Sequence, residues 1–252
     1  MQQFLKHVAL TLPLLAAILP HSTALAQHRP RIGIGVGAGT VLGSRLFDHE
    51  FTLPVDGTTL HFAREVDLED VAVLSAHGEW YVTPHIALRG HAAWGGGRLQ
   101  VRTAEDTNGT TERSFESDFG DVQVTAYDAG IGIWPWGPST VGFAPFITAG
   151  VGNFIYDFDA VTADGLFRAE GRRSARAWLI GIGADMNVWR SISVRFEAIN
   201  HVIDSPLEAT DFDAVVGPVA TDAFGESVNN IRLVLGAQIY LPFQEYSPST
   251  EP

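Results

Sequence analysis

The sequence predicts an all-β protein: an eight-stranded, antiparallel, up-and-down transmembrane β-barrel with short turns at one end and long loops at the other. Three observations predict this fold. Glycine alternates with apolar residues in several segments, the gaps between strand-like segments alternate in length, and tryptophans gather at the ends of those segments.

The alternation of glycine with apolar residues is clearest at positions 32–39 and returns at 129–133, 149–152 and 180–184. Successive side chains of a strand point to opposite sides of the sheet, so each segment has one apolar face and one nearly bare face. Glycine weakens a strand unless something must approach it closely. A narrow closed barrel in lipid supplies that need, and the prediction directs the glycines to the lumen and these residues to lipid: Ile32, Ile34, Val36 and Ala38.

Gap lengths give the predicted strands an orientation. The eight strands are expected at positions 31–42, 71–82, 86–95, 122–134, 141–156, 175–188, 191–203 and 229–242. The second, fourth and sixth gaps are short, whereas the odd-numbered gaps cover 43–70, 96–121, 157–174 and 204–228. Short turns at one end and long loops at the other are typical of bacterial outer-membrane barrels, with the turns in the periplasm. Within the first long gap, residues 51–62 are expected to form a projecting hairpin that turns at Asp56-Gly57.

Charge follows the same division. The four long gaps hold 23 Asp and Glu against 8 Arg, a net charge of 8 − 23 = −15, while the whole chain carries −13. A soluble domain usually spreads its charges over its surface. The sequence therefore predicts acidic loops on one side of a membrane.

Aromatic residues lie where two interfacial girdles are expected, because tryptophan and tyrosine favour the boundary between lipid and water. Most of the tryptophans flank the short turns, and two lie near the opposite strand ends. The predicted girdle consists of Trp80, Trp94, Trp134, Trp136, Trp178, Trp189, Tyr240 and Phe243. A soluble sandwich with aromatic strand ends is the competing explanation.

The beginning of the chain has the pattern of a cleaved export signal. A basic start at Lys6 precedes an apolar run at 8–19, and Ala24-Leu25-Ala26 fits the small-residue cleavage site. We expect a signal peptide at 1–26, a barrel at 27–243 and a short periplasmic tail at 244–252. The absence of cysteine excludes disulfides and thiolate metal sites, and the acidic charge argues against binding nucleic acid.

These patterns resemble a known family. The segment Pro-Phe-Ile-Thr-Ala-Gly-Val-Gly at 145–152 and the terminal strand at 233–243 are similar to the small eight-stranded outer-membrane barrels of the OmpA type, over roughly residues 31–243. The resemblance implies a monomer in the bacterial outer membrane, inserted by the barrel-assembly machinery and surrounded by lipid and lipopolysaccharide. One difference is that nine residues follow Phe243, whereas members of the family usually end on the aromatic residue.

Polar residues that alternate with the lipid-facing ones are predicted to fill the lumen. A charge on the lipid face would cost about 2–4 kcal/mol at the membrane midplane, whereas opposite charges inside can pair. The predicted lumen network consists of Glu79, Arg89, Asp128, Asp185, Arg195, Glu197, Arg232, His77 and His91. The interior of an eight-stranded barrel is about filled by its own side chains, so a plug is favoured over a pore.

Ser75, His77 and Glu79 have the residue types of a hydrolytic triad on one face of one strand. Some related barrels are lipid A deacylases, but their His-x-Ser-Asn motif is missing here, and residues i and i+2 of a strand lie about 6.5 Å apart. The acidic loop clusters match no calcium loop, and the glycine pattern at 33–38 opens no helix, as a dinucleotide site requires. We therefore expect no enzyme, metal or cofactor.

The predicted function is a structural or surface-interaction role for an outer-membrane barrel with acidic extracellular loops and an unknown extracellular partner. Three alternatives remain open at this point: a small-solute pore, a lipid-modifying enzyme similar to a lipid A deacylase, and a soluble periplasmic ligand-binding barrel.

Overall fold

The computed structural model describes residues 31–55, 58–106, 112–114, 118–137, 142–163, 167–189, 191–208, 211 and 227–241. The predicted signal peptide, the tail after Phe243 and Phe243 itself lie outside this part of the chain. Among the described residues no helix is long and apolar enough to cross a membrane. The strands are β1 (Arg31–Val41), β2 (Ser44–Val55), β3 (Thr58–Leu68), β4 (Val71–Tyr81), β5 (Ile86–Asp106), β6 (Glu112–Ser114), β7 (Asp118–Ile133), β8 (Phe143–Ala163), β9 (Phe167–Trp189), β10 (Ile192–Asp204) and β11 (Ser227–Leu241).

Eight of these strands form a closed ring of antiparallel pairs. β1 pairs with β4, and the ring continues through β5, β7, β8, β9, β10 and β11, which pairs with β1 again. Because every strand of the ring has a partner on both sides, its backbone groups are satisfied without water and no edge is open to lipid. The predicted eight-stranded up-and-down barrel is confirmed.

The strands extend further than predicted on the side away from the short turns. β5 and β8 are 21 residues long and β9 is 23 residues long. The expectation of loops at 96–121 and 157–174 was therefore wrong for most of these residues. The predicted hairpin in the first long gap is confirmed as β2–β3, with Val55 opposite Thr58, and β3 joins the extended part of β5. Its turn residues, Asp56 and Gly57, lie outside the described residues.

The apolar and polar faces of the strands change places along the barrel. In the part of β8 near the short turns, Ile147 and Val151 are exposed on the outside. Further along β8, Phe154 and Phe158 are buried inside, and Asp157 is exposed on the outside. Apolar side chains on the outside of the wall suit contact with lipid, whereas apolar side chains on the inside suit a wall whose outer surface is in water. The reversal of the two faces therefore marks where the barrel leaves the hydrocarbon layer.

The predicted aromatic girdle needs two corrections. Trp134 and Tyr240 are buried in the lumen, with 0% and 2% of their surfaces exposed. The reason is strand phase: Trp134 continues the inward row of Gly132, and Tyr240 continues that of Gln238. Being close to a turn does not by itself direct an aromatic side chain to lipid. Five of the predicted residues are exposed on the outside: Trp80, Trp94, Trp136, Trp178 and Trp189.

Candidate functional site

The most distinctive chemistry of the molecule is a buried ionic layer in the lumen near the short turns. Arg195 of β10 lies at its centre and forms two hydrogen bonds with each of two carboxylates. Its Nε donates to Asp185 Oδ1 at 2.7 Å and its Nη2 to Asp185 Oδ2 at 2.8 Å. Its Nη1 and Nη2 donate to the two oxygens of Glu79, the second at 3.0 Å. All three side chains are at most 1% exposed.

A second arginine extends this layer across the barrel. Arg89 of β5 donates from Nη1 and Nη2 to the two oxygens of Glu197 at 2.6 and 2.9 Å. Its Nε lies 2.8 Å from Glu79 Oε1, so Glu79 contacts both arginines. Paired, multiply bonded charges are the form in which ions are tolerated in a barrel interior. The ionic layer consists of Glu79, Arg89, Asp185, Arg195 and Glu197.

Aromatic side chains pack against the ionic layer at the end with the short turns. The ring of Phe146 contacts both arginines, with its centroid 4.7 Å from the guanidinium carbon of Arg195 and 5.0 Å from that of Arg89. The indole N–H of Trp134 donates to Asp185 at 3.0 Å, and the Tyr81 hydroxyl donates to Glu79 at 2.9 Å. These rings cover the ions with apolar surface and complete their hydrogen bonding.

A looser polar cluster lies in the middle of the lumen, around the carboxylate of Asp128. Its Oδ2 atom is 3.1 Å from Arg232 Nη2, 3.4 Å from His201 Nε2 and 3.7 Å from His91 Nδ1. Among the described residues no group of His, Asp and Glu has an arrangement that could hold a metal ion. His77 links the cluster to the ionic layer. Its ring is stacked parallel to that of His91, with 6.3 Å between the centroids, and its Nε2 is hydrogen-bonded to Gln238 at 3.0 Å. Gln238 in turn donates to Glu79 of the ionic layer at 2.9 Å.

The outer part of the interior is apolar, which the sequence did not lead us to expect. The hairpin β2–β3 and the segment after β10 both contribute buried side chains to it. The Ser205 hydroxyl donates to the Leu46 carbonyl at 2.7 Å, and Arg173 forms a bidentate ion pair with Asp211, which is 3% exposed. The buried side chains of this apolar cap include Val41, Leu46, Phe47, Val66, Leu68, Val71, Leu99, Val122, Phe154, Tyr156, Phe158, Phe167, Ile203 and Leu207.

The inward glycines give the lumen side chains room. A Cβ atom at Gly35 would lie 2.4 Å from Cε1 of His77 and 2.7 Å from the carbonyl oxygen of Ala237. Real Cβ atoms do not approach so closely, so only glycine leaves His77 in its place beside β1.

The geometry brings together most of the polar residues that the sequence directed inward, but it does not assemble a triad from Ser75, His77 and Glu79. The Ser75 hydroxyl has no hydrogen-bond partner, and Glu79 is held by the two arginines. Sequence reasoning missed His201, although it shares the inward phase of Arg195 and Glu197. It also missed Phe146, whose contact with two arginines has no signature in a single strand.

Comparison with solved structures finds similarity to outer-membrane proteins. The outer membrane protein OprG from Pseudomonas aeruginosa is 13% identical, with a TM-score of 0.50, and the match covers 84% of this chain and 95% of that one. Ail of Yersinia pestis is 14% identical, with a TM-score of 0.44 over 85% of this chain and 100% of that one. At these identities the likeness to OprG shows the fold alone. No curated protein sequence matches the chain.

The family comparison is more decisive, because it matches the sequence itself over most of the chain and not the fold alone. The outer membrane protein beta-barrel domain family matches residues 9–218. Together with the closed eight-stranded ring, this match shows that the chain belongs to the outer membrane protein beta-barrel domain family and is a protein of the bacterial outer membrane.

Proposed function

We propose that this protein is a monomeric, non-conducting outer-membrane barrel that acts through its extracellular surface and not through its lumen. The observation that carries the proposal is the filling of the interior at successive levels. The ionic layer and its aromatic rings occupy the periplasmic end, and the apolar cap occupies the extracellular end. A solute would have to break buried ion pairs and then cross a packed apolar core.

The extended strands support a surface role. Beyond the lipid-facing part, β5, β7, β8 and β9 continue as a sheet with its own apolar core, and the hairpin β2–β3 widens it. Rigid elements outside the membrane present a fixed surface to a partner better than mobile loops do. The outward side chains of this extension are largely charged, such as Arg98, Asp121, Asp157 and Asp159.

Planar-bilayer recording tests the closed lumen. We expect purified, folded protein to give no conductance steps above the bare bilayer, because the ionic layer and the apolar cap block the path. Heat-denatured protein at the same concentration is the control for detergent artefacts. Reproducible steps of one amplitude, obtained only with folded protein, would support the small-solute pore instead.

Cysteine labelling tests where the barrel leaves the membrane. The chain contains no cysteine, so single substitutions can be labelled without background. We expect a membrane-impermeant maleimide to label Asp159→Cys on intact cells. The control is Ile182→Cys, whose parent side chain is 64% exposed on the lipid-facing part of β9 and should react only after solubilisation. Equal labelling of the two variants on intact cells would contradict the proposed boundary.

The lipid-modifying alternative finds no comparable support in the lumen. Catalysis by Ser75 would need a base within hydrogen-bond reach, and its hydroxyl has no such partner. We therefore keep the proposal that the protein is not an enzyme.

A further inference from the structure

The outward face of β9 changes from apolar to basic within one strand. Trp178, Ile180 and Ile182 are exposed, with 72%, 64% and 64% of their surfaces accessible, and form part of the lipid-facing belt. The next outward residues toward the cell exterior are Arg176, Ser174 and Arg172. An amphiphile lying along β9 would therefore meet apolar side chains at its tail and guanidinium groups at its head.

The two arginines are exposed and form no ion pair with a described residue, unlike their neighbours on the same strand. Arg168 pairs with Glu170, and Arg173 pairs with Asp211 inside the barrel. Long basic side chains just outside the hydrocarbon layer attract anionic lipid headgroups. Arg172 and Arg176 are thus free to contact a ligand at the level of the outer leaflet.

A row of polar side chains lies directly beside Arg176. In the strand ladder Asn153 of β8 is opposite Arg176, and Tyr127 of β7 is opposite Asn153. The Ser174 hydroxyl donates to Asn153 Oδ1 at 2.9 Å, and Asn153 Nδ2 donates to the Tyr127 hydroxyl at 3.2 Å. Their hydrogen bonds hold these groups in place on the outer wall, where they can bind hydroxyl groups of a sugar.

We propose that this surface, formed by Arg172, Arg176, Ser174, Asn153, Tyr127 and Trp178, binds one lipopolysaccharide molecule of the outer leaflet. The phosphate of the headgroup contacts the two arginines, the sugar contacts the polar row, and the acyl chains lie against Trp178, Ile180 and Ile182. Lipopolysaccharide combines these three chemistries in the leaflet that faces this part of the barrel. The site requires the outer-membrane location but not a closed lumen. A negative result for lipopolysaccharide binding would therefore be distinguishable from failure of the proposed function.

Acidic neighbours of the two arginines weaken the proposed binding. Removing one of them is therefore a test in which the affinity is expected to rise and not to fall. Asp157 is opposite Arg172 in the ladder. Asp204, the last residue of β10, comes directly after Ile203, which pairs with Ala177, the chain neighbour of Arg176. A phosphate beside Arg172 is repelled by Asp157. Substituting Asp157→Asn is therefore expected to tighten binding.

Titration of the folded, detergent-solubilised full chain with purified lipopolysaccharide, followed by native mass spectrometry, measures the site. We expect the double variant Arg172→Ser/Arg176→Ser to bind roughly tenfold more weakly or worse, since each basic residue near a membrane surface contributes substantially to anionic-lipid binding. Arg168→Ser, which removes a paired arginine of the same strand, is the matched control and should bind like the wild type. Dephosphorylated lipopolysaccharide should bind the wild type and the double variant equally.

Each arm has an outcome that would overturn the proposal. Equal affinity of the wild type and the double variant for intact lipopolysaccharide would remove the arginines from the site. Competition by inorganic phosphate at the same concentration as lipopolysaccharide would show a free-anion site instead of a lipid site. Unchanged affinity of Asp157→Asn would contradict the placement of the phosphate beside Arg172. Heat-modifiable migration on a gel confirms that every variant is folded.

Discussion

Replacing Arg195 by methionine is expected to lower the free energy of unfolding by about 3–5 kcal/mol, which is the usual cost of removing one partner from a buried ionic cluster. Asp185 would keep only neutral donors, the indole of Trp134 and the hydroxyl of Tyr240 at 3.4 Å. Glu79 would keep Arg89. The uncompensated charge of Asp185 is thus the main source of the loss. Equilibrium urea unfolding of the protein folded in lipid vesicles measures it.

Two further variants separate this explanation from a general effect of losing an arginine. Arg168→Met removes an ion pair whose side chains are 66% and 55% exposed, and such pairs contribute about 0–1 kcal/mol. The double variant Asp185→Asn/Arg195→Met removes the unpaired charge and is expected to be more stable than Arg195→Met alone. If the double variant is no more stable, or if Arg168→Met costs as much as Arg195→Met, the buried charge is not the cause.

The lipid-facing part of the barrel could be predicted because its alternation is simple. In β1, apolar residues such as Ile34 point outward and glycines point inward, and the same phase recurs around the ring. The lumen residues followed from this phase, but their partners did not. Arg195 and Glu79 are 116 positions apart, and their contact depends on how the strands are staggered around the barrel, which no single strand reveals.

The extracellular extension escaped prediction because its alternation has the opposite phase. In β5, Leu88 and Trp94 are apolar and outward, whereas Leu99 and Val101 are apolar and inward. A search for apolar residues on one fixed face ends the strand where the phase changes. The acidic residues of these segments then suggested loops, although Asp121 and Asp157 lie in strands, on the outer wall of a sheet with an apolar core. A reversal of phase within one alternating segment is the signal that would have found the extension.

Substituting Gly150→Val is expected to prevent formation of the folded barrel. A Cβ atom at Gly150 would lie 2.3 Å from the carbonyl oxygen of Ala129 and 2.7 Å from Cα of Gly130, both backbone atoms of the neighbouring strand β7. Backbone in a closed ring cannot move aside, so the strain should reach or exceed the ~1–3 kcal/mol usual for overpacking. Heat-modifiable migration after refolding into detergent or lipid reports the folded fraction, which we expect to be close to zero.

Gly90→Val is the matched control, because it adds the same side chain to a glycine on the lipid face of β5. A Cβ atom at Gly90 meets nothing within 4 Å, and valine favours strands more than glycine does. We expect this variant to fold like the wild type. If both variants fail, the glycines are needed for flexibility of the chain; if both fold, the inner wall tolerates side chains. Only failure of Gly150→Val with folding of Gly90→Val shows that the alternating glycines are required by the close approach of strands inside a narrow barrel.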